Sequence, residues 1–302
     1  MKANQIFAKT MRFVWLKLGL GMAVTAISMV LLVIIIGIMS LVKVSDALIW
    51  AATIWFILTA VVYGLAMHYV GYMLKAAHVA VVSTAVTTGV VPDNIFEAGK
   101  QMVTERFGAV NAYFVLDRMI SGAVSQLQKT VGKIDQLFGN IPGVSAIVSF
   151  VQVFIGIALG YIDECCMGYT FCKKGETAFK AGCDGVVIYF QNIKHLLKSA
   201  LVTSLIVVVL SFVAWLVPFA LFGALFYALK VHLIFAVLIA VIVASVLKTA
   251  FVDSYIMVRT MVAYMEVAPS TVITYDIYDK LCKISGKFKS LFKRAHEGVI
   301  VS

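Results

Sequence analysis

Over most of this chain the hydrophobic positions do not alternate with polar ones; they run on unbroken. Residues 199–229 carry no charge, Lys230 and His232 interrupt briefly, and 233–247 is apolar again before Lys248, Asp253 and Arg259 enter a continuing hydrophobic stretch. A bilayer core of roughly 30 Å takes about 20 apolar residues of helix, and in hydrocarbon only helices and closed barrels satisfy their own backbone hydrogen bonds. The pattern predicts two helices, 199–229 and 232–266, joined tightly and crossing a membrane. The other end of the chain reads the same way. An uncharged run of 24 residues fills 19–42, only Lys43, Val44, Ser45 and Asp46 intervene, and a second uncharged run of 28 fills 47–74. So short a connection makes these two an antiparallel hairpin.

The remaining segments are mixed. Residues 76–92 lack charge but are diluted by Ser83, Thr84, Thr87, Thr88 and Gly89, which predicts an interfacial extension of the second helix, with a third crossing as the alternative. Across 93–143 charges are balanced, and Ile120, Val124, Leu127, Val131, Ile134 and Phe138 recur in steps of four and three. That period marks an amphipathic helix, lying on the membrane or packed on the bundle, with a coiled-coil contact to a second copy as the alternative. Gly139, Asn140, Pro142 and Gly143 end it. Residues 144–162 are apolar, with Gly156 and Gly160 in the spacing that permits close helix approach, and predict a span or a re-entrant segment. The 163–198 segment is polar and Lys-rich and holds four of the five cysteines. In the tail, 269–302, Lys280, Lys283, Lys287, Lys289, Lys293 and Arg294 interleave with Leu281, Ile284, Phe288, Leu291 and Phe292. This predicts a basic amphipathic helix held on anionic lipid.

Composition fixes the class. The 302 residues are 62% hydrophobic and 13% charged, with a mean hydropathy of +0.99, against about 25% charged in a soluble domain. The expected fold is all-α: a polytopic transmembrane helix bundle with an amphipathic interfacial helix, one membrane domain over residues 1–302. The excess of 25 Lys and Arg over 15 Asp and Glu, a net +10, reads as contact with anionic headgroups, since no soluble basic domain is large enough to bind nucleic acid. Lys2, Lys9, Arg12 and Lys17 precede the first run, which lacks a small-residue cleavage site and so reads as an uncleaved span. Basic residues in nearly every long loop put both termini in the cytoplasm, at the plasma or inner membrane. The two hairpins supply four crossings, and 144–162 decides between four, five and six.

Candidate chemistry is sparse. No phosphate-binding loop, metalloprotease motif, nucleophile elbow or dinucleotide fingerprint occurs, so neither an enzyme nor a cofactor is expected. Cys165, Cys166, Cys172, Cys183 and Cys282 match no zinc spacing, which leaves reduced free thiols as the expectation and lipid modification of Cys165 or Cys166 as the alternative. Asp253, deep in an apolar run, is the leading polar candidate, because charges in spans are costly. Lys248 and Arg259 lie five and six positions away, off the faces that i,i+3 and i,i+4 spacing defines. They are expected to form structural ion pairs, with a partner for Asp253 on another helix; a substrate or proton site is the functional alternative. His68 reads as a packing residue.

Residues 168–198, GYTFCKKGETAFKAGCDGVVIYFQNIKHLLK, resemble the C-terminal half of choline transporter-like proteins at Gly168, Phe171, Cys172, Ala178, Phe179, Asn192 and Ile193. Segments 144–163 and 244–267 are similar to that family too. The resemblance implies a quaternary ammonium or amino-alcohol substrate. Aromatic faces hold such cations, and Trp55, Tyr63, Trp215 and Tyr255 lie in the spans, beside Asp253, as the candidate substrate-binding set. The expected function is therefore a transporter or permeation protein for a small polar or cationic solute. The alternative is a non-catalytic membrane scaffold or assembly subunit, acting through its amphipathic helix and basic tail, with a second copy of the chain as a candidate partner.

Overall fold

The computed structural model describes residues 1–42, 47–108, 110–132, 156, 160–230 and 233–297, which form helices and their connections with no strand among them. In order these are α1 (Ala3–Lys9), α2 (Met11–Val42), α3 (Ala47–Ala66), a π-turn (Met67–Gly71), α4 (Tyr72–Thr88), α5 (Ile95–Phe107) and α6 (Val110–Gly132). Then come α7 (Ile162–Cys172), α8 (Ala178–Gln191), α9 (Ile193–Ala228), α10 (Leu233–Leu247), a second π-turn (Lys248–Asp253) and α11 (Ser254–Val267). The chain closes with α12 (Tyr275–Ile284) and α13 (Gly286–Glu297). Four helical runs are long and apolar enough to cross a membrane: Met11–Leu41, Ile49–Thr88, Ile193–Ala228 and Leu233–Ser270. They are the two expected hairpins, and the protein is a helical membrane protein. Apart from 156 and 160–162, segment 144–162 lies outside the described residues, as do positions 134 and 138 of the amphipathic period.

The chain divides into two compact units, one of Met11–Lys75 with Val208–Ser254 and one of Met1–Thr10, Ala76–Val207 and Tyr255–Ser302. In the first, the hairpin unit, Leu32, Ile35, Ala51, Ala52, Trp55, Phe235 and Ile239 form the core. Apolar faces gain nothing from leaving lipid for protein, so such helices hold by close packing and interhelical hydrogen bonds. Both are present. The indole N–H of Trp55 donates to the Ser28 carbonyl at 2.6 Å, and the Ser28 and Thr59 hydroxyls pair at 2.6 Å across α2 and α3. Gly21 lets α2 approach α10 so closely that a Cβ there would collide with the Val246 side chain.

The second, or helical, unit is built on α4. Every side chain from Ala76 to Ser83 is fully buried, as expected of a helix with no polar face. This segment, which continues the helical run Ile49–Thr88, is thus enclosed in protein. Helix α5 packs so tightly on it that a Cβ on Gly99 would lie 2.7 Å from the Ala77 carbonyl oxygen. Arg106, at the end of α5, donates through Nε to the Thr170 carbonyl at 2.8 Å and through Nη2 to those of Lys173 and Glu176 at 3.1 and 2.8 Å. The first of these carbonyls belongs to the last turn of α7, where helical partners run out, and the other two to the connection that follows it.

Both amphipathic segments pack on protein, which for α6 is the packing on the bundle that its period predicts. In α6, Ile120, Val124 and Leu127 are buried, and the helix packs against α5, α7, α8 and α13. The tail likewise turns its apolar face inward: Tyr278, Leu281, Phe288, Leu291 and Ala295 are buried, with α13 seated on α6 and α8. Ser285 joins the two tail helices, its Oγ accepting from the Phe288 amide and donating to Gln126 Oε1, both at 3.0 Å. Most of the tail's apolar face is therefore covered by protein, while its lysines, Tyr275 and Ile284 stay exposed.

The cysteine-rich segment is core as well. Cys165, Cys166 and Cys183 are fully buried. Burial, reinforced by nearby acidic groups, pushes all three thiols up. They stay protonated at neutral pH, and Cys165 and Cys166 have no surface for lipid modification. Among the described residues no group of three His, Cys, Asp or Glu is placed to hold a metal ion.

Two measurements check this packing. Phe288→Ala is expected to cost about 3–5 kcal/mol and to speed tryptic cleavage at Lys287 and Lys289, whereas a tail resting on lipid would show neither in detergent. Tyr169 is pushed up to about 12 by burial and then by Asp184 and Glu176. Its ordinary value is near 10, so folding retains the phenolic proton longer than the unfolded chain does. That contribution to stability is whole below about pH 10 and is lost as the pH rises through about 12, which an alkaline melting series will show.

Candidate functional site

An α-helix separates residues five apart, but the span after Leu247 is not an α-helix. From Lys248 to Asp253 it widens into a π-turn, whose i→i+5 bonding brings such residues onto one face. Lys248 Nζ lies 2.7 Å from Asp253 Oδ1. The partner of Asp253 is therefore on its own helix, which corrects the expectation of one on another. One residue on, the Ser254 hydroxyl accepts from Lys17 Nζ at 2.9 Å. Lys17, Lys248, Asp253 and Ser254 form a polar group in the hairpin unit where α2 meets the π-turn. The ion pair keeps contact with its surroundings, its side chains being 41% and 27% exposed.

Arg259 makes no ion pair among the described residues, which corrects the other half of that expectation. Its Nε donates to the Thr203 hydroxyl and its Nη1 to the Tyr255 hydroxyl, each at 3.1 Å. The guanidinium also stands 5.8 Å from the centre of the Tyr255 ring. The spacing of six, with α-helix from Ser254 onward, leaves Asp253 off this face.

The candidate aromatics are placed separately. Trp55 is fully buried and committed to Ser28. Trp215 stacks on Phe219 of its own helix at 6.0 Å, Tyr63 is half-buried, and Tyr255 serves Arg259 in the helical unit. Among the described residues no ring contact joins any two of the four. His68 sits exposed in the first π-turn, edge-on to Tyr69 at 5.1 Å.

The two π-turns expose a pattern that sequence reading missed. With an offset of 182 residues, Ile6 onto Ile188, the chain repeats its own architecture. Short helices end at Lys9 and Gln191, long helices start at Met11 and Ile193, the π-turns end at Gly71 and Asp253, and the following helical runs end at Thr88 and Ser270. The kink between short and long helix is made alike in both halves. Thr10 and Asn192 cap the short helix in similar backbone conformations, φ −96°, ψ 11° and φ −103°, ψ 16°. The Thr10 hydroxyl donates to the Ile6 carbonyl and the Asn192 amide to the Ile188 carbonyl, both at 2.9 Å. Each side chain also reaches the second long run of its own half or its end, Thr10 to His78 Nε2 at 3.2 Å and Asn192 to the Thr271 hydroxyl at 2.9 Å. In the same register Ile95-Phe96-Glu97 matches Ile277-Tyr278-Asp279. Identities are few, and α9 is 36 residues against 32 in α2. That extra turn of helix displaces the hairpin tips and hides the repeat from a simple comparison.

The helical unit also contains a cavity of about 610 Å³ lined by Thr84, Thr87, Met102, Glu105, Arg106 and Cys172. Thr84 and Thr87 donate to carbonyls of their own helix, so toward the cavity they offer acceptors. No protein-family model, no curated protein and no solved structure matches the chain.

The ion pair yields a double-mutant test. Lys248→Met and Asp253→Asn should each lower the melting temperature, because each strands a charge beside an apolar run, while the double variant recovers most of the loss. Additive losses would mean that the two side chains are not coupled.

Proposed function

We propose that this chain is a transport protein for a small polar or cationic solute, built as two repeats that each contribute a hairpin with a π-turned second helix. The observation that carries the proposal is the matched position of the two π-turns. Transporters recurrently use internal repeats whose spanning helices are interrupted at corresponding places, and the interruption is where solute is handled. A widened turn loosens the backbone ladder, which is tolerated at membrane depth only where protein or a wet cavity receives the freed groups. Here one of the two turns also carries the carboxylate of Asp253, held by Lys248. A cationic solute takes the place of the Lys248 ammonium on Asp253, and the ion pair re-forms when the solute leaves. The resemblance to choline transporter-like proteins supports amines and amino alcohols as the first solutes to test. Basic residues outside the short turns support cytoplasmic termini at the plasma or inner membrane.

Flux of labelled choline and ethanolamine into proteoliposomes tests the proposal. Wild type should give saturable uptake, and Asp253→Asn should lower it at least about tenfold, a loss of one good charge-assisted contact, at a temperature well below the variant's own melting point. No uptake by monodisperse, correctly inserted protein would overturn transport and leave an assembly subunit, to be sought through a stoichiometric partner.

A further inference from the structure

A second, smaller cavity of about 290 Å³ lies in the helical unit, lined by Lys2, Asn4, Ser199, Arg259 and Glu266 among others. We infer that it binds the phosphate group of a membrane lipid headgroup, with Arg259 as the principal ligand. This rests on observations independent of the transport proposal. Partly buried cations are normally neutralised by a carboxylate, yet among the described residues none lies within ion-pair distance of Arg259. The guanidinium is oriented instead by neutral acceptors. Thr203 Oγ1 accepts a hydrogen bond from Nε and the Tyr255 hydroxyl accepts one from Nη1, and the Tyr255 hydroxyl itself donates to Asn4 Oδ1 at 3.3 Å. Of five donors, three are left. A fixed, planar, un-neutralised guanidinium with free donors matches the bidentate geometry of a phosphate. Lys2 brings a second positive charge to the same cavity from a different segment. Glu266 disfavours a second anionic group and accepts an ammonium, so the fit is a single phosphodiester, best with an amine-bearing head.

The lipid source follows from position along the chain. Leu233 opens the apolar run of the last span, and about 20 residues of helix exhaust the hydrocarbon core near Val252. Arg259 stands seven residues further, about 10 Å along a helix, where headgroups lie. Ser199 opens the charge-free run of the preceding span. The cavity is at the small end of ligand sites, which run from about 300 Å³. That suits a headgroup better than a larger metabolite.

Native mass spectrometry of full-length protein released from nanodiscs provides the test, using phosphatidylethanolamine with phosphatidylglycerol in one preparation and phosphatidylcholine alone in another. Wild type should retain one phosphatidylethanolamine, and Arg259→Gln should lower that occupancy about tenfold. Arg259→Lys should not restore it, because an ammonium lacks the fork. Tyr255→Phe keeps the ring and removes the acceptor that orients Arg259; it should lower occupancy by a smaller factor, about threefold, and covers the case in which Arg259→Gln fails to fold. A parallel arm measures the melting shift on adding millimolar inorganic phosphate or glycerol phosphate in detergent. A shift that depends on Arg259, without lipid retention, would keep the phosphate site and overturn its lipid source. Equal retention by wild type and both Arg259 variants, with no shift from soluble phosphate, would overturn the site.

Discussion

The length of the spanning helices, set against the thickness of a bilayer, is the constraint on which everything else depends. A helix needs about 20 residues to cross the hydrocarbon core, and the four long runs here have 31, 40, 36 and 38. The surplus turns need another environment. Their composition changes accordingly: the Ile- and Leu-rich faces of α2, α9 and α10 give way to the Ala, Val, Ser and Thr of 76–88 and to the Met, Tyr and Arg of 255–264. Small residues allow close backbone approach, as at Gly99 against Ala77. The surplus turns thus become core of a second, densely packed unit, and one helix serves both environments.

Within that unit, polar groups are used to fix geometry. Asp184 is buried and accepts from the Tyr278 hydroxyl and, at 3.0 Å, from Lys180 Nζ, which ties α12 to α8. Arg106 closes the end of α7 by binding carbonyls. Arg259, alone among these, is held by hydroxyls and keeps its charge for something else. The contrast between Arg106, spent on backbone, and Arg259, oriented but un-neutralised, is what separates a structural cation from a binding one.

The repeat gives the polar positions a common logic. Thr10 and Asn192 are different residues doing one job, releasing a short helix and starting a long one while bonding across to the second run of the same half. The π-turns are likewise shared, but their side chains differ: the second carries the Lys248–Asp253 ion pair and the first has His68 in the corresponding stretch. A polar group in one half without a counterpart in the other is where a repeat protein departs from its own symmetry, and this asymmetry centres on Lys248 and Asp253.

The spans, the two hairpins and the all-helical class follow from sequence alone, because hydrophobic length is a local, one-dimensional property that a bilayer reads directly. Asp253 and Arg259 could be picked out too, since charge in an apolar run is conspicuous. Their partners could not. An α-helical wheel denies the Lys248–Asp253 contact that a π-turn creates, and Arg259 is answered by Thr203, 56 positions away. The tail and α6 showed their apolar faces plainly, but an apolar face looks the same in sequence whether lipid or protein covers it. Only the tertiary structure decided that Leu281, Phe288 and Leu291 face protein, and that the run 76–83 is enclosed on every side.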